Sequence, residues 1–174
     1  MIGGMTGRPQ SSEYADFYAK YVERVESENV VVALRSQWDA TRSLLDSISS
    51  EHSLHRYAAG KWSVRELVLH ISDAERVFAY RALRFARADQ TPLPGFEQDD
   101  YIGPSAADSR DWRGIIDEFA TVRAASLSLF GNLPREAWSR TGPASGHPVS
   151  VRALAYVIAG HELHHRAILQ QRYL

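Results

Sequence analysis

The chain contains no cysteine. Disulfides, thiol nucleophiles and thiolate-ligated metals are therefore excluded, and the absence agrees with a reducing compartment, so a cytoplasmic location is the expectation. Lysine is scarce as well. Of the 20 basic residues, 18 are arginine, leaving only Lys20 and Lys61; this reads as compositional bias and says nothing of function. There is no excess of charge of one sign. The formal net charge is −1 and the isoelectric point about 6.7, whereas a protein that works on phosphate backbones carries a large positive excess, so no nucleic-acid partner is expected. Long hydrophobic runs are missing: the longest, Ala153 to Gly160, falls far short of the ~20 residues that span a bilayer, so no membrane partner is expected. The first residues lack the apolar stretch of a signal peptide. With Gly3, Gly4 and Gly7 they read as a flexible leader over residues 1–10, with Met5 as an alternative start. What remains is ordinary for a globular protein. The 174 residues are 44% hydrophobic and 24% charged, which suits one domain with a sizeable core, expected over residues 11–174.

Four segments carry helical periodicity. Val31, Leu34, Trp38, Thr41, Leu45 and Ile48 form the first stripe. The second runs from Val64 to about Ala88 through Leu67, Ile71, Ala74, Phe78, Ala82 and Phe85, with Ser63 as N-cap and Glu66 completing a capping box. The third holds Trp112, Ile115, Phe119, Val122, Ser126 and Phe130, with Asp111 as cap and Gly131 and Pro134 as stops. The fourth runs from Val151 to about Gln171, capped by Ser150. No segment alternates with period two, so no sheet is expected.

A connection of residues 89–110 separates the second and third helices and contains Pro92, Pro94, Gly95 and Pro104. Connections of that length inside a compact domain are commonly functional. A weak internal repeat sets Ser63, Val64, Arg65 and Leu67 against Ser150, Val151, Arg152 and Leu154, with Glu51 and Glu136 upstream. Each half reads as helix, loop with a short helical turn, and capped helix. The expected fold is all-α: a four-helix bundle of two helical hairpins joined by a long crossover.

The chemistry is concentrated in His161-Glu162-Leu163-His164-His165. His161 and His165 lie ~40° apart on a helical wheel and share a face with Leu154, Val157, Ile158 and Ile168, so they point inward together. Two buried imidazoles need partners, and one divalent ion can serve both. A lone pair of this kind is more often a hydrogen-bonded core pair; a third ligand shifts the balance. His70, at the edge of the apolar face of the second helix, is that candidate. Three neutral nitrogens with an open position make a catalytic type of site suited to Zn or Ni, and less to Fe or Mn. The string also fits the H-E-x-x-H pattern of zinc peptidases, but Ile168 and Gln171 stand where the extended form needs Gly and His, and too little chain follows for a downstream Glu ligand. His164 falls to the side. His52, His55 and His147 are expected on the surface. Glu66 is either an acceptor that orients the His70 ring or simply part of the cap. The acidic stretch Phe96 to Tyr101 is either a lid or a solvated loop.

Three runs carry a family resemblance: Gly60-Lys61-Trp62-Ser63-Val64-Arg65-Glu66 leading through His70 to Asp73–Arg81, Thr91-Pro92-Leu93-Pro94-Gly95-Phe96, and Ser145–Arg152 leading to Gly160–His165. Together they resemble the DinB-like (DinB/YfiT-like) superfamily, named for damage-inducible bacterial proteins. The resemblance implies a four-helix bundle, a divalent metal on His70, His161 and His165, and often a homodimer. It implies either a small-molecule hydrolase or a transferase or isomerase using a low-molecular-weight thiol. The lack of cysteine fits an external thiol. The competing expectation is a non-catalytic, metal-stabilised binding or stress-response module. Substrate and general base are not identified by the residues.

Overall fold

A computed structural model describes residues 7–174. In chain order its elements are α1 (Ala19–Val22), α2 (Val30–Asp46), α3 (Val64–Ala86), α4 (Gln98–Ser105), α5 (Trp112–Gly131), β1 (Thr141–Ala144), β2 (His147–Ser150) and α6 (Val151–Ile168). The four long helices form a four-helix bundle and are those read from periodicity. Their starts are fixed by side chains that satisfy otherwise orphaned backbone donors. Ser63 Oγ accepts from the Glu66 amide at 3.1 Å and Glu66 accepts from the Ser63 amide at 2.8 Å. Asp111 accepts from Gly114 at 2.8 Å, and Ser150 from Ala153 at 2.9 Å. Both cap serines also donate to a carboxylate, Ser63 to Asp108 at 2.5 Å and Ser150 to Glu13 at 2.7 Å. A short 3-10 turn precedes each capped helix, at His52–Leu54 and Arg135–Ser139, so the internal repeat has a structural counterpart.

Helix α3 packs against α5 and α6, and α2 packs against the same two. The diagonals of the bundle are therefore α2 with α3 and α5 with α6, while α3 and α5 are neighbours. The apolar interior falls into two clusters. One holds Val30, Leu34, Phe78, Phe85, Phe130 and Leu154 to Ala159. The other holds Leu45, Leu67, Ile71, Trp112, Phe119 and Leu169. Along both α3 and α6 the change from one cluster to the other comes where the histidines stand. No helix among the described residues is long and apolar enough to cross a membrane.

The expectation of no sheet is corrected. β1 and β2 pair antiparallel, with Pro143 opposite Pro148. Their turn, Ser145 (φ 53°) and Gly146 (φ 79°), has positive φ at both central positions, the tight hairpin geometry matched to strand twist. Four-residue strands carrying a proline each show no alternation to read. The crossover is pinned to this hairpin: Leu93 donates to Pro143 O at 2.9 Å and Ser145 donates to Leu93 O at 3.0 Å. Of the expected leader, residues 1–6 lie outside the described residues. Residues 7–10 are held in place: Gly7 donates to Glu28 O at 3.1 Å, Arg8 donates to the Val22 and Val25 carbonyls, and Pro9 is buried.

Candidate metal centre

His70 comes from the second turn of α3, and His161 and His165 from successive turns of α6. The structure brings all three together. The Nε2 atom of His161 lies 3.1 Å from that of His70 and 3.1 Å from that of His165. The three rings meet edge to face with centroids 4.5 to 4.9 Å apart, and all are buried. Burial disfavours the imidazolium form. It pushes His70 down to about 4, and, with the neighbouring rings adding repulsion, holds His161 well below the usual histidine value and brings His165 to about 2. A neutral Nε2 carries one proton or one lone pair, so His161 Nε2 can make only one proper hydrogen bond to its two neighbours and the trio is left short of a partner. A divalent cation fits this arrangement. Zn–N bonds of about 2.0–2.1 Å in a tetrahedral site place ligand nitrogens about 3.3 Å apart, close to the spacing seen. No fourth His, Cys, Asp or Glu joins the cluster among the described residues.

Aromatic side chains enclose the rings. Trp62 packs on His70 at 4.9 Å, Tyr21 on His161 at 5.3 Å and Phe78 on His161 at 6.2 Å between centroids. His70 and His161 form part of the wall of a cleft of about 580 Å³. Its other walls come from the Phe17–Tyr21 segment, from Ala74, Phe78 and Arg81 of α3, from residues 95–99 of the crossover and from Ser145 of the hairpin. The crossover thus packs beside the histidines, with Phe96 against Phe78 at 6.2 Å and against Tyr101 at 5.6 Å.

The remaining candidates fall elsewhere. His164 stands beside the cluster, stacked edge-on with Tyr21, and its burial together with Arg24 and Lys20 lowers its pKa. His52, His55 and His147 are exposed. Glu66 serves the cap and pairs with Arg56, not with His70. Glu162 turns away from the histidines into the interior. It accepts from Thr41 at 2.5 Å and pairs with Arg123 at 2.8 Å, while Arg123 makes a two-pronged contact with Glu75 at 3.0 and 2.8 Å. Sequence reasoning missed this group. Its one signal was an arginine four residues after Phe119, on the apolar face of α5.

The profile of the DinB superfamily matches residues 33–169. The chain belongs to the DinB superfamily. No curated protein matches it. Among solved structures this DinB protein is similar to YfiT from Bacillus subtilis, described as a probable metal-dependent hydrolase with an unusual four-helix bundle topology (TM-score 0.72, 16% identity, covering 94% of this chain and 89% of that one). It is similar to the DinB-like protein YjoA, also from Bacillus subtilis (TM-score 0.60, 23% identity, 81% and 86% covered). It is also similar to the mycothiol-dependent maleylpyruvate isomerase (TM-score 0.66, 12% identity), covering 79% of this chain and 58% of that one. At these identities the likeness concerns the fold.

Proposed function

We propose that this DinB protein is a metal-dependent enzyme in which His70, His161 and His165 hold a divalent cation beside a small-molecule cleft. One observation carries the reading: three buried Nε2 atoms converge, and two of their rings line that cleft. Neutral imidazoles suit Zn or Ni, and Fe or Mn less well. A cation held there supplies Lewis acidity and brings a nucleophile's pKa toward neutrality. The chain's own part is to fix the rings on two packed helices and to keep them uncharged by burial. The rings of Trp62, Tyr21 and Phe78 shield the histidines from solvent.

Two reactions are supported by different likenesses. Hydrolysis is supported by the description of YfiT, and thiol-dependent transfer or isomerisation by that of the mycothiol-dependent enzyme. In the second case a low-molecular-weight thiol comes from solution, because the chain has no cysteine of its own. A cytoplasmic homodimer completes the proposal. The test is elemental analysis of protein purified without a histidine tag, then incubation with esters, amides and electrophiles in the presence and absence of bacterial thiols. Turnover only with thiol selects transfer, and thiol-independent cleavage selects hydrolysis. Metal at one per chain with no turnover of any kind would overturn the enzyme reading in favour of a metal-stabilised module.

A further inference from the structure

Arg81 is 2% exposed and lines the same cleft as His70 and His161. Its guanidinium donates to three neutral oxygens: Tyr18 Oη at 3.3 Å, Pro94 O at 2.7 Å and Ser145 Oγ at 3.1 Å. Among the described residues no carboxylate pairs with it. The contrast with the other fully buried arginine is direct, since Arg123 is met by two carboxylates. A buried guanidinium held only by neutral acceptors is costly, and an anion at the open side of the cleft would neutralise it. Lys20, the cleft's second cation, has no ion pair among the described residues, and its Nζ lies 4.9 Å from the Tyr21 ring centroid; Glu97 and Asp99 also line the cleft, but neither pairs with Arg81 or Lys20.

We infer that Arg81, assisted by Lys20, is an anion-binding subsite and that the ligand of this cleft is a small organic anion. The inference rests on the proposed function in taking the cleft as the place where substrate sits. Distances support one ligand reaching both ends. Arg81 Cζ is 5.8 Å from the Phe78 ring centroid, and the His161 ring is 6.2 Å from the same point. Side chains on a helix lean toward its N-terminus, so the long arm of Arg81 reaches back along α3 toward His70. Phe78 and Phe96 line the cleft with ring centroids 5.8 Å from Arg81 Cζ, which suits an apolar body ending in a charged group. A guanidinium fork reads a carboxylate or a phosphate through paired hydrogen bonds.

Calorimetric titration of the metal-loaded chain with benzoate, phenyl phosphate and neutral benzamide tests this, with metal content measured on the same samples. Benzoate or phenyl phosphate should bind, benzamide at least about tenfold more weakly, and the preference should vanish in Arg81→Gln. Because Arg81 also ties three segments together, Lys20→Ala provides a second variant at an exposed position, with the anion bound about threefold more weakly. Equal affinity for benzoate and benzamide, no binding of either anion, or affinities unchanged in both variants would overturn the inference. The metal reading fails separately: samples devoid of metal would sink the three-histidine centre while the anion preference is still read on the same chain.

Discussion

Arg123 carries the highest stake of any single interior side chain. It is 1% exposed and touches all four long helices: it lies on α5, pairs with Glu75 of α3 and Glu162 of α6, and donates to Leu34 O of α2 at 2.9 Å. Burial works against its charge, yet the two carboxylates outweigh it and hold its pKa above the usual arginine value. Arg123→Ala leaves two buried carboxylates unpaired, so a loss of about 3–5 kcal/mol in urea unfolding is expected. The histidines make a sharper test of identity. His161→Ala removes the ring whose Nε2 lies nearest both others, and elemental analysis should show metal content falling sharply. His164→Ala should leave it nearly unchanged; the reverse pattern would refute the assigned ligand set. The His161–His165 pair was legible in the sequence because inward helical spacing is a local property, whereas the joining of His70 from another helix was implied by the family resemblance. The buried ionic group was not legible, since nothing in the spacing of Glu75, Arg123 and Glu162 says that three helices bring them together.

At the level of elements, caps and periodicity made the four long helices legible, and turn chemistry alone would have had to reveal the hairpin. The short α1 was equally hidden, because four residues give no periodicity. Its position depends on Gly160 of α6, where an added Cβ would stand 1.9 Å from the Tyr21 carbonyl oxygen. Backbone cannot yield as a flexible side chain can, so Gly160→Ala must push α1 off the bundle. Overpacking of this kind costs about 1–3 kcal/mol, and thermal melts should show it. Tyr21 flanks His161, so the same substitution should also loosen the cleft wall, read as faster hydrogen exchange over residues 17–22 with metal content retained.

For the whole molecule, the histidine cluster couples folding to acidity. The folded-state value of His70 is about 4, against about 6.5 for an exposed imidazole. Between these values the unfolded chain binds more protons, so the metal-free protein should keep full stability above about pH 6.5 and lose it progressively as pH falls through 4. On the proposed ligand set a metal would occupy the same nitrogens, so loading should raise the melting temperature at neutral pH and shift the acid transition lower. A stability profile that is flat from pH 7 to 4 in the stripped chain would contradict the buried, neutral state of these rings. The cleft itself is assembled from two kinds of material. Its floor is rigid helix, carrying the histidines on α3 and α6. Its sides are the N-terminal turn, the crossover and the hairpin, all gathered by Arg81. On the proposed function the metal ligands come from the helices alone, while the ligand-facing wall is shared between Arg81 and Phe78 of α3 and the non-helical segments. Exchanging the sides while sparing the floor offers a route by which one scaffold acquires unrelated substrates without rebuilding its centre.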